Sequence, residues 1–182
     1  MRLKRLDPHD ARHPFSCGDA DLDQFYLADS ITGGEELLSV TYCLLEDARD
    51  EVLAFFAVSN DSIKKSQVPA DIFNQITGTI PHEKQYSSMP AAKIGRLGVC
   101  NAAQRNRLGT AILDYLKYWF TNGNKTGCRF LIVDAYNTPT VLAFYERNRF
   151  RLLVPAKGGD HITRIMYFDL KRFGEESDPA HN

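Results

Sequence analysis

What this sequence of 182 residues has little of narrows its class before any motif is read. It has no excess of charge: 22 Lys and Arg against 23 Asp and Glu leave a formal net charge of −1. No overall field therefore draws nucleic acid or an acidic membrane, and only local clusters such as Arg147, Arg149, Arg151 and Lys157 can supply that attraction. No apolar run approaches the length of about 20 residues that a membrane span needs, so no membrane partner is expected. Met1-Arg2-Leu3-Lys4-Arg5-Leu6 leads into Asp7-Pro8-His9-Asp10 rather than into the apolar stretch of a signal peptide, which gives a cytoplasmic expectation. The four cysteines, Cys17, Cys43, Cys100 and Cys128, are scattered, without metal-ligand spacing or the density of a disulfide scaffold. His9 and His13 share helical spacing but bring no further ligands, so no metal is expected. With no secretory signal, the Asn60 and Asn124 sequons read as chance matches. No repeat or linker is visible, so residues 1–173 are expected to form a single domain, with the acidic stretch 174–182 a disordered tail.

What is present is organised around Lys93 to Phe120. Ile94, Leu97 and Val99 suggest a strand, the polar run after Cys100 breaks it, and Leu108, Ala111, Ile112, Tyr115, Leu116 and Trp119 follow at helical spacing. A loop rich in donors thus feeds a helix N-terminus, where unpaired N–H groups and the helix dipole favour a phosphate or pyrophosphate. The alternative is a surface turn capping a buried amphipathic helix. Downstream, Arg129 to Ala135 reads as a buried strand beside the first in a parallel sheet. Asn137-Thr138-Pro139-Thr140 then opens a helix whose face is Val141, Leu142, Phe144 and Tyr145, closed by Asn148-Arg149-Phe150.

These two segments resemble the GNAT family of acyl-CoA-dependent N-acetyltransferases. Gln104-Arg105-Asn106-Arg107-Leu108-Gly109 is similar to the family's Gln/Arg-x-x-Gly-x-Gly/Ala turn, with Arg107 where the first glycine is usual. The run from Asn137 through Phe144-Tyr145 to Phe150 resembles Asn-x-x-Ala-x-x-Phe-Tyr-x-x-x-Gly-Phe, with Arg149 in the glycine's place. The resemblance implies an α/β (α+β) GNAT fold: a mixed, mostly antiparallel sheet of about seven strands, helices on both faces, and a splayed parallel pair admitting acetyl-CoA. Backbone N–H groups over Gln104, Arg105, Asn106, Arg107, Leu108, Gly109 and Thr110 would hold its pyrophosphate. Leu97, Gly98 and Val99 would run beside the pantetheine, with the Val99 N–H facing the thioester oxygen. Asn137 would bind the pantetheine arm, and Tyr145 would be the general acid. Read from spacing alone, Tyr145 is a buried helix aromatic.

Elsewhere Arg2 to Leu6 reads as a strand, Phe15 to Leu27 as a helix ended at Gly33-Gly34, and Leu37 to Leu45 with Val52 to Val58 as an antiparallel hairpin. Ser59 to Pro90 reads as an irregular insertion holding a short helix at Val68 to Phe73, with loops at Gly78, Pro81 and Pro90. Arg151 to Val154 and Ile162 to Leu170 close the sheet, linked through Pro155, Gly158 and Gly159, with His161 exposed at a turn. Phe15-x-Cys17-Gly18-x-x-x-Leu22-Asp23-x-Phe25-Tyr26-Leu27, with Ser39 to Leu45, resembles the opening of the GNAT toxins of bacterial toxin–antitoxin pairs. That resemblance implies acetylation of aminoacyl-tRNA and an antitoxin partner. The expected activity is acetyl transfer to a primary amine of a small molecule, a protein or aminoacyl-tRNA. A module that holds acyl-CoA without catalysis is the competing reading. Glu35, Glu36, His82 and Glu83 lie in segments that border an acceptor site, and none is singled out as base. A homodimer, the commonest assembly, is one expectation.

Overall fold

The computed structural model describes residues 1–78, 80, 86–123, 126–154 and 161–177. The expectations that fall on Pro81, His82, Glu83, Asn124, Pro155, Lys157, Gly158, Gly159 and residues 178–182 lie outside them. One mixed sheet of seven strands has the order β1-β2-β3-β4-β5-β7-β6, with β4 and β5 parallel. Its strands are β1 (Arg2–Arg5), β2 (Val40–Leu45), β3 (Val52–Lys64), β4 (Ser88–Val99), β5 (Phe130–Tyr136), β6 (Arg151–Leu152) and β7 (Thr163–Asp169). Helices are α1 (Ala20–Gln24), α2 (Ser30–Glu35), α3 (Ala70–Thr77), α4 (Leu108–Thr121), α5 (Pro139–Arg147) and α6 (Leu170–Ser177). No described helix is long and apolar enough to cross a membrane. Contacts divide into two compact units, residues 1–59 with 94–116 and residues 60–93 with 117–182.

The first unit is built on the β2–β3 hairpin, in register from Val40 opposite Val58 to Leu45 opposite Val52, with β1 antiparallel on β2. Alternation over β2 buries Thr41, Cys43 and Leu45. Phe55, fully buried, is the hub of the core: its ring centroid lies 5.2 Å from those of Phe15 and Tyr26 and 6.0 Å from that of Phe25. The phenol of Tyr26 is taken out of water among these rings, and that burial pushes its pKa up to about 12. Tyr26 lies in one turn of π-helix, Phe25–Asp29, which joins α1 to α2. Gly33-Gly34 does not break this helical run. Both glycines are inside α2, where a Cβ would come within 2.9 Å of Ser39 Oγ and 2.8 Å of Pro8 Cγ respectively, so they allow close approach instead. The stop comes at Leu37, left-handed at φ 57°, with the Leu38 N–H returning to Gly33 O at 2.8 Å. The second strand therefore begins at Val40 rather than Leu37.

In the second unit β5 and β7 pair antiparallel along their whole length, from Phe130 opposite Asp169 to Tyr136 opposite Thr163. The Arg129 guanidinium closes the end of that ladder with two bonds of 2.8 Å to the Asp169 carboxylate. Its core gathers Ile63, Val68, Phe73, Ile76, Met89, Phe130, Ile132 and Leu153. The stretch after Ser59 is more regular than its composition implies: β3 continues to Lys64, and its buried Ile63 packs in this core. Pro90 stands within β4, where its carbonyl accepts the Arg129 N–H at 3.0 Å and its missing N–H leaves that bond untouched. The last helix runs to Ser177, so residues 174–177 of the expected tail are helical, and β6 is confined to two residues.

Gly98, on β4 in the first unit, is fixed by packing. A Cβ there would lie 2.5 Å from Cε1 of the buried Phe55 ring, which its aromatic neighbours hold in place. Gly98→Ala is therefore expected to destabilise the protein by about 1–3 kcal/mol, and Phe55→Leu in the same chain to recover part of that loss. Thermal unfolding of the two variants checks this, and equal melting temperatures for native and Gly98→Ala would refute the clash.

Candidate functional site

In the first unit the loop after β4 is held before it reaches α4. Cys100 and Asn101 donate their N–H groups to Leu53 O at 2.9 Å and Ser16 O at 3.0 Å, and residues 101–103 form one tight turn. The Gln104 carboxamide ties the turn down: its Nε2 donates to Cys17 O at 2.7 Å and Val99 O at 3.0 Å, while its N–H donates to Cys100 O at 3.1 Å. Gln104 thus spends its donors on the protein.

Beyond Gln104 the backbone enters the left-handed region twice. Arg105 at φ 63° and Arg107 at φ 61° are left-handed, with Asn106 between them, and α4 begins at Leu108. Alternation of this kind turns successive N–H groups toward one concavity, an anion-binding nest. The first bond of α4 runs from the Ala111 N–H to Arg107 O at 3.0 Å. The N–H groups of residues 105–110 donate to no acceptor among the described residues, and the side chains of Arg105, Asn106 and Arg107 are exposed around them. An arginine therefore stands at the usual glycine position with the backbone conformation that glycine would adopt. This geometry can take a diphosphate: open donors, the positive end of a helix of 14 residues, and two guanidinium groups.

The segment Phe15 to Asp23 holds this loop, a role that sequence reading missed although it had singled out the residues. Gly18 is left-handed at φ 84°, and a Cβ on it would lie 3.2 Å from Asn101 Oδ1. Asp19 caps α1, accepting from the Asp21 and Leu22 N–H groups. The Asp23 carboxylate accepts from the Cys17 N–H and the Ser16 hydroxyl, each at 2.8 Å. Burial above all, with this carboxylate adding to it, pushes the pKa of the Cys17 thiol up to about 11. Cys17, Gly18 and Asp23 in the N-terminal motif are thus the residues that shape a support for the loop. On β4, Leu97 and Val99 are half-buried and Gly98 is buried against Phe55.

In the second unit α5 carries the other candidates. Thr138 caps it, its hydroxyl accepting from the Val141 N–H, and Pro139 follows at the first helical position. Asn137 precedes the cap with its N–H bonded to Ile162 O at 2.9 Å and its Nδ2 to His161 O at 3.0 Å. Both bonds are donated by Asn137, which ties the start of α5 to the residues ahead of β7. Tyr145 is 7% exposed, and burial raises its phenol above the ordinary tyrosine value, so the hydroxyl keeps its proton. The end of α5 explains how that ring is held. Arg149 is left-handed at φ 66°, its N–H returns to Glu146 O at 2.8 Å, and the Phe150 N–H returns to Tyr145 O at 3.0 Å. This is a Schellman motif with the apolar contact that accompanies it, the Tyr145 and Phe150 rings lying 5.5 Å apart. Of the other sequence candidates, Glu35 and Glu36 are exposed at the end of α2, and His161 is exposed as expected.

No protein-family model matches the chain. Among solved structures it is similar to AtaT complexed with acetyl-methionyl-tRNAfMet, at 16% identity over 97% of this chain and 99% of that one, with a TM-score of 0.76. AtaTR bound with AcCoA matches at 16% identity over 97% and 98% of the two chains, TM-score 0.74. A tyrosine-to-phenylalanine mutant of KacT does so at 16% identity over 96% and 98%, again with a TM-score of 0.74. Likeness at this identity establishes a shared fold, and the seven-stranded mixed sheet with its parallel β4–β5 pair is the GNAT architecture that the two sequence motifs imply.

Left-handed backbone at a residue with a Cβ costs about 1–2 kcal/mol. Arg149→Gly relieves it but gives the unfolded chain more freedom, so a net gain of about 0.5–1 kcal/mol is expected. Arg149→Ala keeps the Cβ and should give no gain. Denaturant unfolding of the pair checks this, and equal stabilities for Gly and Ala would contradict the backbone assignment.

Proposed function

We propose that this protein is an N-acetyltransferase that uses acetyl-CoA to acylate a primary amine. The observation that carries the reading is the loop at the head of α4, where Arg105 and Arg107 are left-handed and the N–H groups of residues 105–110 find no acceptor among the described residues. A diphosphate suits that concavity, and the fold is shared with a protein whose structure holds AcCoA. Acetyl-CoA, when bound, supplies a thioester whose acyl group an amine can take. Within the chain, the N–H groups of Arg105 to Thr110 bind the pyrophosphate, with Arg105 and Arg107 adding charge. Leu97, Gly98 and Val99 line the pantetheine, and the Val99 N–H is assigned to the thioester oxygen. Asn137 accepts a hydrogen bond from the arm through Oδ1. Tyr145 is assigned to hold a proton at its hydroxyl for a leaving thiolate; burial raises the phenol above the ordinary tyrosine value and keeps it protonated well above neutral pH, so the transfer itself has to be favoured by the bound thiolate.

A second reading, acetylation of the amino group of aminoacyl-tRNA, is favoured by one specific feature. The residues that hold the loop, Cys17, Gly18 and Asp23, are those of the motif that resembles the tRNA-acetylating toxins, and a protein of the same fold is seen with acetyl-methionyl-tRNAfMet. In that case an antitoxin partner is expected, and induced expression should arrest growth only while Tyr145 is intact.

Calorimetry with acetyl-CoA tests the cofactor assignment. The native chain is expected to bind with a Kd within about 1 µM to 1 mM, the range usual for enzyme substrates, and Arg107→Gly to bind as well. Absence of binding by the native chain, restored by Arg107→Gly, would identify a degenerate fold. Tyr145→Phe should bind acetyl-CoA as before yet lower acetyl transfer to an amine panel by about 100-fold or more. On the native enzyme the rate should show no loss attributable to this phenol at pH 10, the ordinary tyrosine value. Full activity in Tyr145→Phe would overturn the acid role.

A further inference from the structure

In the second unit Lys117, on the last turn and a half of α4, is only 3% exposed. Its ammonium stands over the face of the Phe168 ring, 4.8 Å from the centroid. Lysine is among the residues least often buried to this degree, and a methionine would fill the same space without taking a charge out of water. From Phe168 a row of aromatic rings leads to the phenol assigned as the acid. Phe168, on β7, lies 5.7 Å from Phe150 with their planes at 41°, and Phe150 lies 5.5 Å from Tyr145 at 66°. All three rings are buried. The cation and the rings thus form one continuous row within the second unit, and Tyr145 is its far end.

We propose that Lys117 is a positioning residue for the Tyr145 hydroxyl, acting through Phe168 and Phe150. An ammonium is drawn to the face of a ring and not to its edge, because the ring quadrupole is negative on the face. Held over Phe168, it fixes the plane of that ring, whereas a flexible thioether packs against a ring at many angles. Close packing passes the constraint on: a tilt of Phe168 would drive its edge into Phe150, and Phe150 bears in turn on Tyr145. A proton donor works only within hydrogen-bond reach of the atom it serves, and a misplacement of about 1 Å can cost on the order of 100-fold in rate. The proposal deepens the acetyltransferase reading and rests on Tyr145 as its acid, while the placement of the ring can be read without acetyl-CoA.

The first test is fluorine NMR of the full chain with fluorotyrosine at its eight tyrosines, the Tyr145 resonance being assigned by its loss in Tyr145→Phe. Lys117→Met should shift or broaden that resonance and leave those of Tyr26 and Tyr42, in the first unit, unmoved. Lys117→Arg, which keeps a cation for the ring, should return it to its native place. Phe168→Leu, which removes the ring face and keeps the lysine, should move it as well. In acetyl transfer, Lys117→Met should lower kcat about tenfold and leave the Kd for acetyl-CoA unchanged, with Lys117→Arg restoring most of the rate. Added to Tyr145→Phe, Lys117→Met should have little further effect, because two residues that act through one hydroxyl are not additive. An equal loss in both backgrounds would reduce Lys117 to a part of the core and overturn the inference. So would an unmoved Tyr145 resonance in Lys117→Met or in Phe168→Leu. Transfer that depends on Tyr145 but not on Lys117 removes this inference alone, whereas a native chain that transfers no acetyl group while the resonance still follows Lys117 removes the acetyltransferase reading alone.

Discussion

The first unit depends on one carboxamide. Gln104 Nε2 joins the carbonyl of Cys17, from the N-terminal segment, to that of Val99, at the end of β4, and so fixes where the chain stands as it leaves the sheet. The two left-handed residues, Arg105 and Arg107, and with them the N–H groups ahead of α4 that find no acceptor among the described residues, follow from that fixed point. Without it the loop would have to carry two left-handed arginines, each unfavourable by about 1–2 kcal/mol, with nothing to set their direction. The Asn101 N–H on Ser16 O and the Cys100 N–H on Leu53 O hold the short turn in place, and the carboxamide sets the direction in which the chain leaves it.

Much of this was legible before any coordinates, and the reasons are physical. Helical spacing over Leu108 to Trp119, the apolar run at Phe130 to Ala135 and the Thr138-Pro139 start of α5 are local signals, set by which side chains face the core and which cap. They placed α4, β5 and α5 to within a residue or two. Signals that depend on partners distant in sequence misled. Gly33-Gly34 reads as a breaker because glycine is a poor helix former, yet it lies inside α2 because Ser39 and Pro8 leave no room for a Cβ. Pro90 reads as a loop residue, but its carbonyl is what Arg129 needs. The polar stretch after Ser59 hides a strand because only Ile63 and its core neighbours reveal which face is buried.

Within the candidate site, residue types were legible and commitments were not. Gln104 and Asn137 carry donors and acceptors in any conformation. That Gln104 spends its Nε2 within the loop, and Asn137 its Nδ2 on His161 O, follows only from the folded positions of Cys17, Val99 and His161. Tyr145 shows a similar division. Its place on a helical face was plain from spacing, whereas its burial and raised pKa follow from the turn that brings Phe150 back across it.

That returning turn bears on how such chains are recognised. At Arg107 and Arg149 the position is defined by the sign of φ and by the N–H groups it releases or returns, and the side chain is incidental to both. Glycine is the usual occupant because it adopts that sign without strain, but a well-supported loop can impose it on arginine. The heritable feature of these turns is therefore a rhythm of backbone handedness. Two proteins can keep the rhythm while sharing few of the letters that normally spell it.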